Sequence, residues 1–268
     1  MTRMPCIPVL AYHKVDIGFE LGANSILPRT FERQMRFLSE QGYTAITVDR
    51  MVDAFSDESD QNSVSAKLPP QSIMITFDDG YENFYTYAYP ILKAHCLTAT
   101  VFVLAGYIGE LNTWDVRLRF KRSRHLNREQ IQTLFRDGIG VASHGMNHRF
   151  LTSCHPEKAK SELEESKSVL EGIVNHPIQS FAYPYGSVNP KVVELVKAAG
   201  YRIAFGLNPS QEMNPSSIYC FPRMAIYRHD TDRAFQAKLG LLGKYRFGFE
   251  CLKNRVINRF AYLNRLRG

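Results

Sequence analysis

The chain alternates short apolar runs with amphipathic stretches almost from end to end. Apolar runs of four to eight residues that are rich in β-branched and aromatic side chains predict strands at 7–12, 43–48, 73–77, 98–105, 138–143, 179–183, 202–205 and 224–227. Stretches with helical spacing of their apolar positions predict helices at 31–41, 84–95, 128–136, 156–171, 190–199 and 232–242. The stretch 54–70 is polar, with many Ser and Asp residues, and predicts a surface loop.

Repeated alternation of strand and helix favours a parallel sheet covered by helices. Six or more such units in one domain suggest an α/β fold of the closed or partly closed (β/α) barrel kind. In such barrels the functional residues lie at the carboxyl ends of the strands. The polar residues considered below mostly follow predicted strands, so we expect them to meet at one end of the barrel.

The net charge of +7 is concentrated at the C-terminus. Residues 244–268 contain seven Lys or Arg against one acid, and so carry six of the seven charges. We therefore divide the chain into a barrel domain, 1–243, and a basic C-terminal tail, 244–268. A helix over 250–267 would align Leu252, Val256, Phe260 and Leu263 on one side, with basic residues beside them. Such a segment either lies on an anionic membrane as a peripheral contact, packs on the barrel, or stays solvated.

Composition restricts the class of protein in three ways. The five cysteines are an odd, scattered set without a CxxC pair, which argues against a disulfide framework and for reduced thiols. No stretch approaches the roughly 20 apolar residues of a membrane span, and no secretory signal is recognisable, so we expect a cytoplasmic protein, with membrane association through the tail as an option. Nucleic-acid binding is not expected, because the basic residues are not interleaved with aromatic ones in a known fold.

Two adjacent carboxylates, Asp78 and Asp79, follow the apolar strand at 73–77. Neighbouring side chains of an extended chain point to opposite sides, so one carboxylate can bind a metal while the other faces a substrate. A cation would also offset the repulsion between them. The alternative is a plain Asp-Asp-Gly turn in which Asp79 caps a helix.

Two imidazoles, His144 and His148, follow the strand at 138–143 and are four residues apart. Side chains with that spacing share a face of a helical turn and can bind one ion. Together with Asp79 they form a His, His and carboxylate set, which leaves a coordination position for water as in catalytic zinc sites. The same set suits Co, Ni and Mn. Two surface histidines in a loop are the alternative.

The strand at 179–183 ends in a turn formed by Tyr183, Pro184, Tyr185 and Gly186. Proline and glycine can hold a backbone N–H toward a site, and aromatic rings offer a sugar an apolar face. We therefore consider the turn a candidate substrate-binding segment. A rigid turn with core aromatics is the competing interpretation.

These three segments together resemble the successive motifs of the polysaccharide deacetylases, the NodB-homology or carbohydrate esterase 4 family. The segments are TFDDG at 76–80, SHGMNH at 143–148 and FAYPYG at 181–186. The resemblance runs from about residue 8 to about residue 242. It includes the Tyr12–His13 pair, which is similar to the branch with an N-terminal Tyr-His strand. Three motifs in order are far more specific than any one of them.

The resemblance implies a distorted (β/α) barrel and a divalent metal, usually zinc, bound by Asp79, His144 and His148. It also implies Asp78 as the catalytic base and the backbone N–H of Tyr185 as a donor to the oxyanion.

The sequence departs from the common family pattern at two places. Ala182 lies where an arginine is often found, and Arg223 is similar to an arginine of the Tyr-His branch that would keep Asp78 ionised. A surface Arg after a proline is the alternative for Arg223. The late Leu-x-His segment is absent, so His13 is the first candidate for the general acid and His229 the second.

The predicted function is metal-dependent hydrolysis of N-acetyl groups on an amino sugar in a polysaccharide or glycan precursor, with release of acetate. The partner would be an N-acetylated carbohydrate. Two alternatives remain: a deacylase or deformylase of a lipid-linked monosaccharide, and a non-catalytic carbohydrate-binding relative. Trp114 could stack on a sugar ring or simply pack in its loop.

Overall fold

The computed structural model describes residues 7–18, 23–55, 67–113, 122–207 and 215–261. Its strands are β1 (Val9–Tyr12), β2 (Lys14–Val15), β3 (Ser25–Ile26), β4 (Thr44–Ala45), β5 (Ser72–Phe77), β6 (Thr100–Val103), β7 (Gly140–Ser143), β8 (Ser180–Ala182), β9 (Ile203–Phe205) and β10 (Met224–Ala225). Its α-helices are α1 (Pro28–Glu40), α2 (Val48–Phe55), α3 (Tyr89–Ala94), α4 (Arg128–Arg136), α5 (Pro156–Val174), α6 (Pro190–Ala198), α7 (Asp232–Lys238) and α8 (Lys244–Ala261). Trp114 lies outside the described residues, as do residues 262–268 of the basic tail.

The main sheet is parallel and curls into a partly closed (β/α) barrel, as the sequence predicted. Its strand order is β10-β1-β5-β6-β7-β8-β9, and β4 pairs with the start of β5. Phe221 forms a parallel bridge with Phe205 of β9, and three residues later Met224 pairs with Leu10 of β1. Residues 221–224 thus connect β9 to β10, which are the two outer strands of the sheet. This connection brings the two edges of the sheet together.

Strand residues alternate between two apolar layers, because successive side chains of a strand point to opposite faces. One layer fills the inside of the barrel and includes Val9, Met74, Phe102, Ala142 and Phe205. The other packs against the surrounding helices and includes Leu10, Ile75, Val101, Val141 and Phe181. Both layers are buried, which explains why the strands have nearly continuous apolar sequences.

The predictions were wrong at the segment 43–48 and at the start of the loop 54–70. The strand β4 is only Thr44–Ala45, and helix α2 begins at Val48 and continues through Phe55. The β-branched residues suggested a longer strand, but Val48 and Met51 are fully buried and pack with the inner layer. Burial of that helical face overrides the weak local preference for strand.

Helix α8 begins at Lys244, six residues earlier than predicted. Its Glu250, Cys251 and Asn254 are buried. The side-chain oxygen of Asn254 accepts a hydrogen bond of 2.8 Å from the backbone N–H of Ala225 in β10. This part of the tail therefore packs on the barrel. None of the helices in the described ranges is long and apolar enough to cross a membrane.

Candidate active site

Asp79, His144 and His148 come together at the carboxyl ends of β5 and β7. Each histidine places its Nε2 atom 3.4 Å from Oδ1 of Asp79, and the three potential ligand atoms all lie within 4.8 Å of one another. All three residues are buried. The spacing predicted from the sequence therefore produces one compact cluster.

The cluster fits a divalent metal. Oδ1 of Asp79 is buried and accepts no hydrogen bond within the described ranges, which is costly for a carboxylate without a cation. Nδ1 of His144 donates a hydrogen bond of 2.8 Å to the carbonyl of Ala182, and this leaves Nε2 to face Asp79. Two imidazole nitrogens and one carboxylate oxygen are the ligand set of catalytic zinc sites.

The electrostatics around the cluster also favour a bound cation. Burial would raise the pKa of Asp79, but the neighbouring histidines hold it below its ordinary value. Burial lowers the pKa of His148 to about 3, so this imidazole is neutral. Burial also opposes a charge on His144, yet the carboxylates of Asp79 and Asp78 raise its pKa. The two carboxylates thus create a negative potential that a cation would balance.

Several residues of the site have a left-handed backbone, which is rare for residues other than glycine. The φ angles are 71° at Asp79, 53° at His148 and 58° at Tyr185. Such conformations persist only where the surrounding structure enforces them, and they are concentrated at functional sites. Here they fall on three residues selected from the sequence for their chemistry.

Glu162 of helix α5 holds the loop that carries both histidines. Its carboxylate accepts hydrogen bonds from the backbone N–H groups of Met146 and Asn147, at 3.0 and 2.8 Å, and a third from the Asn147 side chain. Arg149 lies 3.2 Å from the same carboxylate. Glu162 could not be identified from the sequence, because one acid among several on a polar helix has no distinguishing pattern.

His125 holds the backbone of Asp79 in place, and the sequence did not predict this role. Its Nδ1 donates a hydrogen bond of 2.8 Å to the backbone carbonyl of Asp79, and its ring stacks on Tyr81. Burial lowers the pKa of His125, so its imidazole is neutral. A lone histidine in a segment without regular secondary structure offered no signal in the sequence.

Asp78 and Arg223 form a buried pair beside the cluster. Two hydrogen bonds of 2.6 and 2.8 Å join the guanidinium to the two carboxylate oxygens. Arg223 is only 1% exposed and is therefore not a surface residue. Burial alone would raise the pKa of Asp78, but the positive charge of Arg223 holds it below its ordinary value. Asp78 is thus kept ionised.

The two candidate acids differ in their surroundings. His13 directly follows β1, is half-buried, and is close enough for its charge to help lower the pKa of both Asp78 and Asp79. His229 is exposed and stacks on Tyr227, with 5.6 Å between the ring centroids. The structure thus brings His13, and not His229, to the acidic residues.

Most residues of the turn after β8 are buried. Tyr183 is fully buried, and its hydroxyl donates a hydrogen bond of 2.7 Å to the carbonyl of Tyr219, so its ring does not face a substrate. Pro184 and Gly186 are buried too. The ring of Tyr185 lies 4.3 Å from that of His148 and stacks on Phe150 at 3.8 Å. Within the turn, Tyr185 therefore lies next to the cluster.

A partly closed (β/α) barrel with a buried Asp–His–His cluster and an ionised carboxylate at its strand ends defines a class of hydrolase. A sequence model of the polysaccharide deacetylase family matches residues 65–204, which is about half of the chain. The chain belongs to this family, whose members hydrolyse the amide bond of N-acetyl groups on carbohydrates.

Three relatives show how far the similarity extends. YxkH of Bacillus subtilis (strain 168) is 26% identical over 238 residues, covering 88% of this chain and 77% of the relative. The poly-β-1,6-N-acetyl-D-glucosamine N-deacetylase of Staphylococcus aureus (strain MRSA252) is 25% identical over 226 residues, covering 81% and 71%. The crystal structure of BC0361, a polysaccharide deacetylase from Bacillus cereus, superimposes with a TM-score of 0.71 and 27% identity, covering 87% of this chain and 68% of that one.

Proposed function

We propose that this polysaccharide deacetylase is metal-dependent and releases acetate from N-acetylated amino sugars in a polymer. The observation that carries the proposal is the buried Asp79–His144–His148 cluster beside the ionised Asp78. Zinc is the preferred metal for such a set, and Co, Ni or Mn would also suit it.

Asp79, His144 and His148 would bind the metal, which when bound lowers the pKa of water and polarises the acetyl carbonyl. Asp78 would accept the proton of the attacking water, because Arg223 keeps its carboxylate ionised. His125 and Glu162 would act through the ligands, by holding the backbone of Asp79 and of the histidine loop.

The backbone N–H of Tyr185 would donate to the oxygen on which negative charge develops. A preorganised donor of this kind typically contributes about 10²–10³ in rate. His13 would then protonate the sugar nitrogen as the C–N bond breaks, so that the products are acetate and a free amino sugar. The exposed His229 remains the second candidate for this acid.

For the substrate, we propose a polymer that contains N-acetylglucosamine, because the Staphylococcus aureus relative is named for such a polymer. A lipid-linked monosaccharide, deacetylated or deformylated, is the second candidate, and the exposed apolar side chains of α8, such as Tyr245 and Phe249, favour it. The intact Asp79–His144–His148 cluster argues against a non-catalytic relative. The location in the cytoplasm stays a prediction from the sequence.

Metal content and turnover of two variants test the proposed roles. Asp78→Asn is expected to retain one bound metal and to lose acetate release, because the base is removed and the ligands are not. His144→Ala is expected to lose both. His155→Ala, at an exposed histidine that precedes α5, serves as a matched control and should retain both. Full activity of a His144→Ala protein that still binds metal would overturn the ligand assignment, and an active Asp78→Asn protein would overturn the base.

A further inference from the structure

Helix α8 exposes four large apolar side chains on its outer face, while Phe247 and Cys251 on its inner face pack against the core. Tyr245, Phe249, Leu252 and Val256 are 97%, 65%, 59% and 49% exposed, whereas the other face buries Glu250 and Asn254. At 100° per residue the four apolar positions fall within an arc of about 60° and extend over about 16 Å of the helix axis. We call this row of four residues the apolar stripe. A helix packed on a soluble domain normally exposes polar side chains on its outer face.

The orientation of α8 on the barrel is fixed by specific hydrogen bonds. Asn254 accepts the backbone N–H of Ala225, and Asn258 accepts the hydroxyl of Tyr227 while donating to the carbonyl of Leu207. These hydrogen bonds join α8 to the end of β10 and to the segment after β9. The apolar stripe therefore cannot rotate inward without breaking them, and it faces away from the barrel.

The exposed charge on α8 has one sign. Lys244, Arg246 and Arg255 are exposed and lie on the two sides of the apolar stripe. The only acid of the helix, Glu250, is buried, with its carboxylate 3.1 Å from Lys253 and 3.8 Å from Lys238. The sequence that follows, 262–268, adds two arginines and no acid. The charged residues of α8 that flank the apolar stripe are all basic. Such a helix face is complementary to the interface of an anionic bilayer, where negative headgroups lie above apolar acyl chains.

We propose that the apolar stripe and its flanking basic residues form a peripheral binding surface for anionic lipid bilayers. The large side chains of Tyr245, Phe249 and Leu252 would enter the boundary between headgroups and acyl chains. The basic residues would contact lipid phosphates, as in other interfacial amphipathic helices. The proposal rests on α8 alone and does not depend on the deacetylase reaction.

A second copy of the chain is a poorer occupant of this surface. Two stripes packed face to face would bring the basic residues of both copies together with no exposed acid on α8 to offset them. Four side chains are also few against the roughly 20–30 residues per side of a stable interface.

The location of α8 relates the surface to the active site. Leu207 and Tyr227, which bind Asn258, follow the carboxyl ends of β9 and β10, the barrel end that carries the Asp79–His144–His148 cluster. A protein bound through the apolar stripe would therefore have the C-terminal part of α8, which contacts this end of the barrel, at the lipid surface.

Sedimentation of the full chain with vesicles tests the proposal. We expect the protein to sediment with vesicles that contain one third phosphatidylglycerol, and about tenfold less with phosphatidylcholine alone, because basic residues add affinity only for anionic lipid. Phe249→Ser with Leu252→Ser, and separately Lys244→Gln with Arg246→Gln, should each reduce sedimentation about tenfold. Circular dichroism shows whether each variant is folded.

The control variants remove equivalent groups from another helix. Val169→Ser removes an exposed apolar side chain of α5, and Lys158→Gln with Lys160→Gln removes two exposed charges from it. Both should sediment like the wild type. No sedimentation of the wild type, or equal loss in the α5 controls, would overturn the proposal. So would a dimer in light scattering that Phe249→Ser with Leu252→Ser dissociates while vesicles bind nothing, since the stripe would then be an interface between copies.

Discussion

Arg223 binds both oxygens of Asp78, although the two residues are 145 positions apart in the chain. The guanidinium also donates a hydrogen bond of 3.1 Å to the carbonyl of Gly206, and it lies over the ring of Phe102. A planar, bidentate cation in this position orients the carboxylate and balances its negative charge, so that the carboxylate stays ionised. The pair lies beside the Asp79–His144–His148 cluster, so it connects the closing segment of the barrel to the proposed chemistry.

Arg223→Gln is expected to move the acid limb of the kcat/KM profile to higher pH. The pKa of Asp78 is held below its ordinary value by Arg223, so the wild type keeps the base ionised at low pH and loses it only as the pH falls through that depressed pKa. Loss of a neighbouring opposite charge raises a carboxyl pKa by about 1–3 units.

The profile is measured with the metal saturating, and Arg36→Gln is the control because Arg36 is exposed on α1. An acid limb that is unchanged in Arg223→Gln would contradict the role of the pair.

Glu162→Ala should weaken metal binding without removing a ligand. The carboxylate of Glu162 binds the N–H groups of Met146 and Asn147 between the two histidines, so its loss frees the loop that positions them. Loss of a group that orients metal ligands typically costs about 10–100-fold in affinity.

Competition with a chromophoric chelator measures the dissociation constant. Glu164→Ala, an exposed acid on the same helix, is the matched control. Equal affinities of the two variants would show that the loop keeps its shape without Glu162.

His13→Gln should reduce kcat by different factors on two substrates that differ in their leaving groups. An amide needs its nitrogen protonated as the bond breaks, whereas 4-nitrophenolate leaves without a proton. We therefore expect His13→Gln to lose about 10²–10⁴ in kcat on an N-acetylated oligosaccharide and much less on 4-nitrophenyl acetate. His229→Gln should behave like the wild type on both. The reverse pattern, with His229→Gln selectively impaired on the amide, would assign the acid to His229.

Asp230→Asn is expected to destabilise the protein through the C-terminal helix. The carboxylate of Asp230 pairs with Lys238, whose ammonium is buried, and with Lys253 of α8 at 2.8 Å. Removal of one partner of a buried ion pair leaves an uncompensated charge and costs about 3–5 kcal/mol in the free energy of unfolding.

The effect on stability should also depend on pH. The pKa of Asp230 is depressed by Lys238, so its contribution is present above the ordinary carboxyl pKa of 3.8 and is lost as the pH falls through the depressed value. The difference between wild type and variant in urea unfolding should shrink accordingly in acid. Asp232→Asn, an exposed residue two positions away, is the control. A difference that persists unchanged in acid would contradict this explanation.

The residues that follow strands could be predicted from the sequence, and the residues that support them could not. Asp78, Asp79 and His144 each follow an apolar run, and parallel strands bring such positions to one end of the barrel. Glu162 and His125 reach the site from a polar helix and a segment without regular structure. Their roles depend on contacts across the chain that no local pattern records.

The C-terminal helix shows a second limit of pattern reasoning. The sequence predicted an amphipathic helix in the tail, and α8 extends from Lys244 to Ala261. An amphipathic pattern alone does not tell which face packs on the barrel. Here Glu250 and Asn254 bind partners on the barrel side, so the four residues of the apolar stripe are left outside.

Acetate release from oligomers of β-1,6-linked N-acetylglucosamine tests the central claim most directly. The full chain is assayed as purified, after treatment with a chelator, and after zinc or cobalt is added back, with Asp78→Asn as the inactive reference. The proposed function predicts acetate release that the chelator abolishes and the added metal restores. Acetate release that persists undiminished in protein shown to contain no metal would contradict it.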